Sequence, residues 1–292
     1  MKLITCRYNG AEYTAVVTHG DTQAVMTEDL GYHFRDMNDL IRNTDRSELR
    51  RMEALAQGSG KMIPLNRVEL TAPIPHPVRD VICMGLNYKA HADEMAEALN
   101  EEKKERVYPI YFGKAVDRCL GHGEAVPSHS DFISTLDYKY ELAVILGKDA
   151  YQVPAEEVSD YIFGYSILND VTGRELSRHK QNYFMKSLDG SCPMGPWIVT
   201  ADEIPYPPEL QIRLSVNGEP RQNGNTGDMI FGISEIVSEL SRGVTLQAGT
   251  IFATGSPTGI GFGMKPPVFL KDGDVMRCTI EKIGVLTNTV KD

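Results

Sequence analysis

His91 and Glu94 stand three residues apart in KAHADEM, a spacing that puts both on one face of a helix. A carboxylate bonded to one imidazole nitrogen fixes the tautomer and raises the basicity of the other nitrogen, so the pair has the form of an oriented general base. An exposed helix surface offers the same pair without consequence, and spacing alone favours that solvated alternative. A second group lies in LDYKYELAVILG, where Asp137, Lys139 and Glu141 alternate with Tyr138, Tyr140 and Leu142. Alternation along a strand gives the three charged side chains one face. If that strand enters the core, the charges must be paired or bind something; at a sheet edge they would be solvated. Asn169-Asp170 closes the apolar run IFGYSILNDV, and GRELSRHKQNYFMKS adds Arg174, Arg178, Lys180 and Lys186.

The elements that must carry these residues are legible in outline. KLITCRYN, EYTAVVTHG and TQAVMT alternate as strands joined by Asn9-Gly10 and Gly20-Asp21 turns. Helices are expected over Met37–Arg42 and Ser47–Ala56, with Ser47 as N-cap, and a longer one from Lys89 through EEKKER. The proline-spaced TAPIPHPVRD separates a small first block, residues 1–72, from a second over 78–292. LSVNGEPRQ reads as a hairpin turning at Asn217-Gly218, and ISEIVSELSRG as a helix stopped by Gly243. In ATGSPTGIGFGMKPP the glycines suggest a dinucleotide loop, but Pro266-Pro267 falls where a helix would have to start. A rigid loop whose backbone N–H groups hold a carboxylate is the better expectation.

Composition narrows the function class. A net charge of −10, without a basic stripe, argues against nucleic acid or an anionic membrane as partner. An anionic substrate would need positive charge gathered locally. The five cysteines, Cys6, Cys83, Cys119, Cys192 and Cys278, include no CxxC pair, which disfavours zinc or a disulfide framework and fits a reducing compartment. No run reaches membrane-spanning length, so a soluble cytoplasmic protein is expected.

In order, GLNYKAHADE, PIYFGK, DYKYELAVILG, NDVTGRELSR, KSLDGSCPMGPW, NGEPRQNGNTGDMIF and ATGSPTGIG resemble the fumarylacetoacetate hydrolase family over about residues 81–290. The resemblance implies an α+β, strand-rich fold, a mixed β-roll or sandwich with a small α/β N-terminal domain, and a homodimer. It also implies an enzyme acting on a small 2-oxo acid, dicarboxylic acid or acylpyruvate through an enol or enolate, by C–C hydrolysis, decarboxylation or isomerisation. His91 and Glu94 match the family's acid–base pair, and Lys186 matches a lysine that stabilises enolate charge. Lys114, Gln222, Thr254, Gly255 and Ser256 match segments that bind substrate. No organic cofactor is implied.

The family's metal pattern is Glu-x-Glu plus a later Asp, three carboxylates for Mg²⁺ or Mn²⁺. Here Glu141 and Asp170 match the second and third positions, and Lys139 stands at the first. An ammonium has no lone pair to give, which argues against the metal. Two carboxylates and one ammonium carry the same charge, −1, as three carboxylates and a dication, so Lys139 is expected to pair with Glu141 and Asp170 in its place. Three outcomes stay open: enolate chemistry with weaker electrophilic help, an imine formed by Lys139 with the 2-oxo group, or a silenced family member that binds dicarboxylates or acts as a scaffold.

Overall fold

The computed structural model describes residues 1–292. In the first block, β1 (Lys2–Tyr8), β2 (Ala11–Thr18) and β3 (Gln23–Met26) form successive antiparallel hairpins, followed by α1 (Met37–Asn43), α2 (Arg46–Gln57) and the short strands β4 (Ile63–Pro64) and β5 (Glu69–Leu70). The cap of α2 is Asp45, not Ser47: its carboxylate accepts from the Ser47 and Glu48 amides, and Glu48 reaches back to the Asp45 amide. That reciprocal arrangement satisfies three backbone donors at the start of the helix, more than a serine two residues later could do.

The second block opens with β6 (Val81–Gly85), α3 (Lys89–Leu99) and β7 (Ile110–Lys114). Helix α3 stops at Leu99 and does not run through EEKKER. Asn100 adopts a left-handed conformation (φ 55°), and the Glu101 amide bonds back to the Ala96 carbonyl, closing the last turn. Then come β8 (Ala125–Pro127), β9 (Leu136–Asp137), β10 (Tyr140–Leu146), β11 (Ile162–Asn169), β12 (Thr172–Gly173), the one-turn helix α4 (Tyr183–Lys186) and β13 (Met194–Thr200). The chain ends with β14 (Gln211–Val216), β15 (Glu219–Asn225), α5 (Ile233–Ser241), β16 (Ile251–Ala253), β17 (Val275–Ile280) and β18 (Gly284–Lys291).

An eleven-stranded sheet runs β4-β3-β2-β1-β13-β11-β10-β16-β6-β7, with β5 joined to β1. A five-stranded sheet, β15-β14-β17-β18-β8, packs against it. The β1–β13 pairing carries the large sheet across both sequence blocks, and Thr71–Pro75 of the proline-spaced segment is buried beneath it. The fold is α+β and strand-rich.

β10 lies between β11 and β16, and all seven of its residues are buried. Tyr138, Tyr140, Leu142, Val144 and Leu146 face the second sheet, packing in one core with Ile212, Leu214 and Cys278. Ala143 and Ile145 face the other way, into a core shared with Leu3, Val16, Leu40 and Met52 of the first block. The strand is thus central, with the charged face continuing an apolar one. The solvated-edge alternative for Asp137, Lys139 and Glu141 is removed: all three are buried.

Candidate active site

Around the entry to β10 a cleft of about 280 Å³ opens. Its floor is polar, formed by Lys139, Glu141, Asp170 and Lys186, with His91 on one side. Apolar side chains wall it: Met84 of β6 and Leu86 just after it, Met95 of α3, Ile110 and Phe112 of β7, and Met185 of α4. A charged floor in a largely apolar wall suits a small acid, because each charge interaction is strengthened where water is scarce.

His91 is buried and its Nδ1 lies 2.9 Å from Glu94 Oε2. An ionised carboxylate only accepts, so Nδ1 carries the proton and Nε2 keeps its lone pair. Glu94 Oε1 accepts the Gly259 amide at 2.9 Å, which ties the pair to the glycine-rich loop. Burial pushes the His91 pKa below its ordinary 6.5, against the pull of Glu94, so the ring is a neutral base near pH 7.

Asp170, fully buried just after β11, is the charge centre of the floor. Lys114 Nζ stands 3.1 Å from its Oδ1, Lys139 Nζ 2.5 Å from its Oδ2, and Lys186 Nζ also contacts Oδ2. Burial alone would raise this carboxyl, but Lys139, Lys186 and Lys114 hold it well below the usual carboxylate range. Asn169 does not enter the cleft; its Oδ1 accepts the Lys139 amide at 2.9 Å and so fixes the chain between β9 and β10.

Counting donors separates the three lysines, since each ammonium has three. Lys114 donates to the carbonyls of Val171 and Lys186 and stands in ion-pair contact with Asp170 Oδ1, which accepts no hydrogen bond; it is wholly buried behind the floor. Lys139 spends its own on Asp170 Oδ2, Thr172 Oγ1 at 2.9 Å and the Asp170 carbonyl at 3.2 Å. Lys186 has one acceptor, Asp170, and sits 4.8 Å from the Phe112 ring centroid. It therefore keeps donors for a ligand. Burial, with the neighbouring ammoniums, pushes its pKa down to about 7.

Lys139 pairs with Asp170 alone. Its side chain is drawn toward Thr172, and Glu141 makes no ion pair. Instead Glu141 Oε2 accepts the Gly255 amide at 2.8 Å. Burial and the Asp170 charge raise its pKa to about 7.

The glycine-rich loop does hold carboxylates, but they are the protein's own. The Gly255 amide goes to Glu141, Gly259 to Glu94, and Gly261 and Phe262 to Asp137. Gly259 has φ 102°, and a Cβ there would meet the Arg221 carbonyl oxygen at 2.0 Å, so only glycine fits. Thr254 donates to the Leu142 carbonyl at 3.0 Å. Gln222 bridges the Tyr140 amide and the Pro257 carbonyl, pinning the loop to β10. Of the five residues matched to substrate binding, Ser256 alone lines the cleft, its hydroxyl buried and without a partner.

A family model described as fumarylacetoacetate (FAA) hydrolase C-terminal matches residues 80–291. The chain belongs to the fumarylacetoacetate hydrolase family. It is 46% identical over 230 residues to the oxaloacetate tautomerase YisK of Bacillus subtilis, covering 78% of this chain and 75% of that protein. Among solved structures, it is similar to the fumarylacetoacetate hydrolase of Exiguobacterium antarcticum, with a TM-score of 0.84, 37% identity and coverage of 100% and 99% of the two chains. It is also similar to the maleylpyruvate hydrolase of Sphingobium in complex with manganese(II) and pyruvate, with a TM-score of 0.78, 31% identity and coverage of 100% and 99%.

The donor set of this family member does not fit a divalent metal. Nowhere do three His, Cys, Asp or Glu side chains converge. Asp170 Oδ2 already accepts from two ammoniums, Oδ1 faces a third at 3.1 Å, and one oxygen of Glu141 is held by an amide. At about 4 Å and an effective dielectric near 20, a dication and the Lys139 ammonium would repel by roughly 8 kcal/mol.

Family motifs did not point to Arg174, which lines the cleft four residues after Asp170. Its Nε donates to Asp137 Oδ2 at 2.8 Å, with Nη2 at the same distance. The signal was its place in NDVTGR, among basic residues that the sequence groups without ranking. Asp137→Ala would leave this partly buried guanidinium unpaired and free the Gly261 and Phe262 amides. Urea denaturation should show a loss of roughly 3–5 kcal/mol; a loss below about 1 kcal/mol, as for a surface pair, would reduce the contact to an incidental one.

Proposed function

We propose that this chain interconverts the keto and enol forms of a small 2-oxo acid, with an oxaloacetate-type dicarboxylic acid as the first candidate. The observation that carries this is a neutral, carboxylate-oriented imidazole on the same cleft as an ammonium with donors to spare. His91 Nε2 takes a proton from C3, the C–H electron pair becomes the C2=C3 double bond, and the C2 oxygen gains the negative charge. A Lys186 N–H hydrogen-bonds that oxygen as its charge grows; the oxygen then takes a proton from solvent water, and His91 releases the C3 proton to solvent, giving the enol and the neutral base. The reverse path returns the proton to C3 from His91. Glu94 holds the tautomer of His91, Asp170 holds Lys186 in place, and the Arg174 guanidinium faces the carboxylate of the acid.

The identity with an oxaloacetate tautomerase supports the substrate class. Hydrolysis would turn the same base on a water molecule, and decarboxylation would break a C–C bond, so products separate the three. The test is proton NMR of oxaloacetate in D₂O with the purified protein, following C3 exchange and the appearance of pyruvate. Accelerated exchange without pyruvate is expected. Pyruvate formed as fast as exchange, or exchange no faster than in buffer, would overturn the proposal.

A further inference from the structure

The position that a metal ligand occupies in the family pattern holds, in this chain, a cation. We infer that the Lys139 ammonium is a built-in replacement for the divalent ion, so that the chain folds its site and binds its acid without a metal. This rests on the enol chemistry proposed above only for what the site binds; the charge arrangement stands without it.

Several observations converge on it. Lys139 is buried, and its three donors meet three acceptors, Asp170 Oδ2, Thr172 Oγ1 and the Asp170 carbonyl. An ammonium so satisfied has no reason to swing aside for an incoming cation. Its backbone is fixed as well: the Lys139 amide donates to Asn169 Oδ1, and its carbonyl accepts the Asp170 amide at 2.8 Å. The carboxylate a metal would need, Asp170, is shared among Lys114, Lys139 and Lys186. What remains is one oxygen of Glu141, whose other oxygen is bonded to the Gly255 amide, and Asp170 Oδ1, which accepts no hydrogen bond but faces the Lys114 ammonium at 3.1 Å. Hard cations take several oxygens, and these are too few.

The division of labour follows from the same contacts. In a metal-loaded relative, a single ion can neutralise the carboxylates and polarise the substrate together. Here Lys139 neutralises, with its donors spent inward, and Lys186 is left to meet the substrate.

The decisive measurement is metal content of the wild-type protein by plasma mass spectrometry, joined to melting curves in excess Mn²⁺ and in EDTA. Wild type should carry far less than one Mg²⁺ or Mn²⁺ per chain and melt at the same temperature in both. Lys139→Glu should acquire Mn²⁺ and melt about 5 °C higher with it than with EDTA. Stoichiometric metal in wild type, or a Mn²⁺-dependent rise in its melting temperature, would overturn the inference. So would a folded Lys139→Glu that gains no Mn²⁺. The wild-type measurements need no variant, and they decide the matter should Lys139→Glu not fold. Because none of these readouts is an activity, a metal-free protein that leaves oxaloacetate unchanged removes the proposed function alone.

Discussion

His91→Gln should lower kcat for C3 exchange by about a thousandfold, within the range of 10²–10⁴ that a positioned acid–base group contributes. Glutamine keeps a polar side chain of similar reach, and its amide can still meet Glu94, so the helix and its tie to Gly259 should survive. It has no basic nitrogen. KM should change little, because in the proposed reading Lys186 and Arg174, not His91, hold the carbonyl and carboxylate of the acid. The pH profile gives a second check. Wild-type kcat/KM should rise with pH through an apparent pKa below 6.5, since burial disfavours the imidazolium and only the neutral ring accepts a proton. In His91→Gln that acid limb should disappear. A variant that keeps more than about a tenth of the wild-type rate, or keeps the limb, would assign the base to another group.

How far this site could be read in the sequence depends on which contacts are local. The alternation in LDYKYELAVILG correctly divided β10 into two faces, because a strand's period of two is a property of the backbone itself. It could not say whether the strand was central. That depends on β11 and β16, which come from residues 162–169 and 251–253. The residues of the His91–Glu94 pair were visible for the same local reason, and their burial was not, since the cover comes from the glycine-rich loop far along the chain.

The same distinction explains the corrections. Asp45 and Asn100 are local caps of types plain in the sequence; a serine two residues after the first and a continuing run of helix formers after the second compete with them as signals. The glycine-rich loop is different. That its amides would meet carboxylates followed from its composition, but which carboxylates did not. Glu94, Asp137 and Glu141 lie more than a hundred residues earlier, and only the fold brings them to Gly259, Gly261 and Gly255. Likewise, charge counting placed Lys139 among two acidic partners, whereas Thr172 Oγ1 decided which one it meets.

Lys186→Met should reduce kcat by about 10²–10³, the loss expected when one donor to a developing oxyanion is removed, or roughly 2.7–4 kcal/mol of transition-state stabilisation. Methionine keeps most of the stem that packs near Phe112 and removes every N–H. Asp170 would still hold Lys114 and Lys139, so the buried carboxylate stays compensated and the protein should fold. The informative comparison is Lys139→Met. Lys139 gives all its donors to Asp170 and Thr172, so its loss should appear chiefly as instability, leaving unpaired acceptors on the floor of the cleft. Lys186 has donors that meet no protein acceptor, so its loss should appear chiefly in kcat, with KM nearly constant and the urea midpoint close to wild type. The two lysines share one carboxylate oxygen, yet donor counting gives them different tasks. If Lys139→Met remains as stable as wild type while losing more kcat than Lys186→Met, the electrophile is Lys139 and the count has been read the wrong way round.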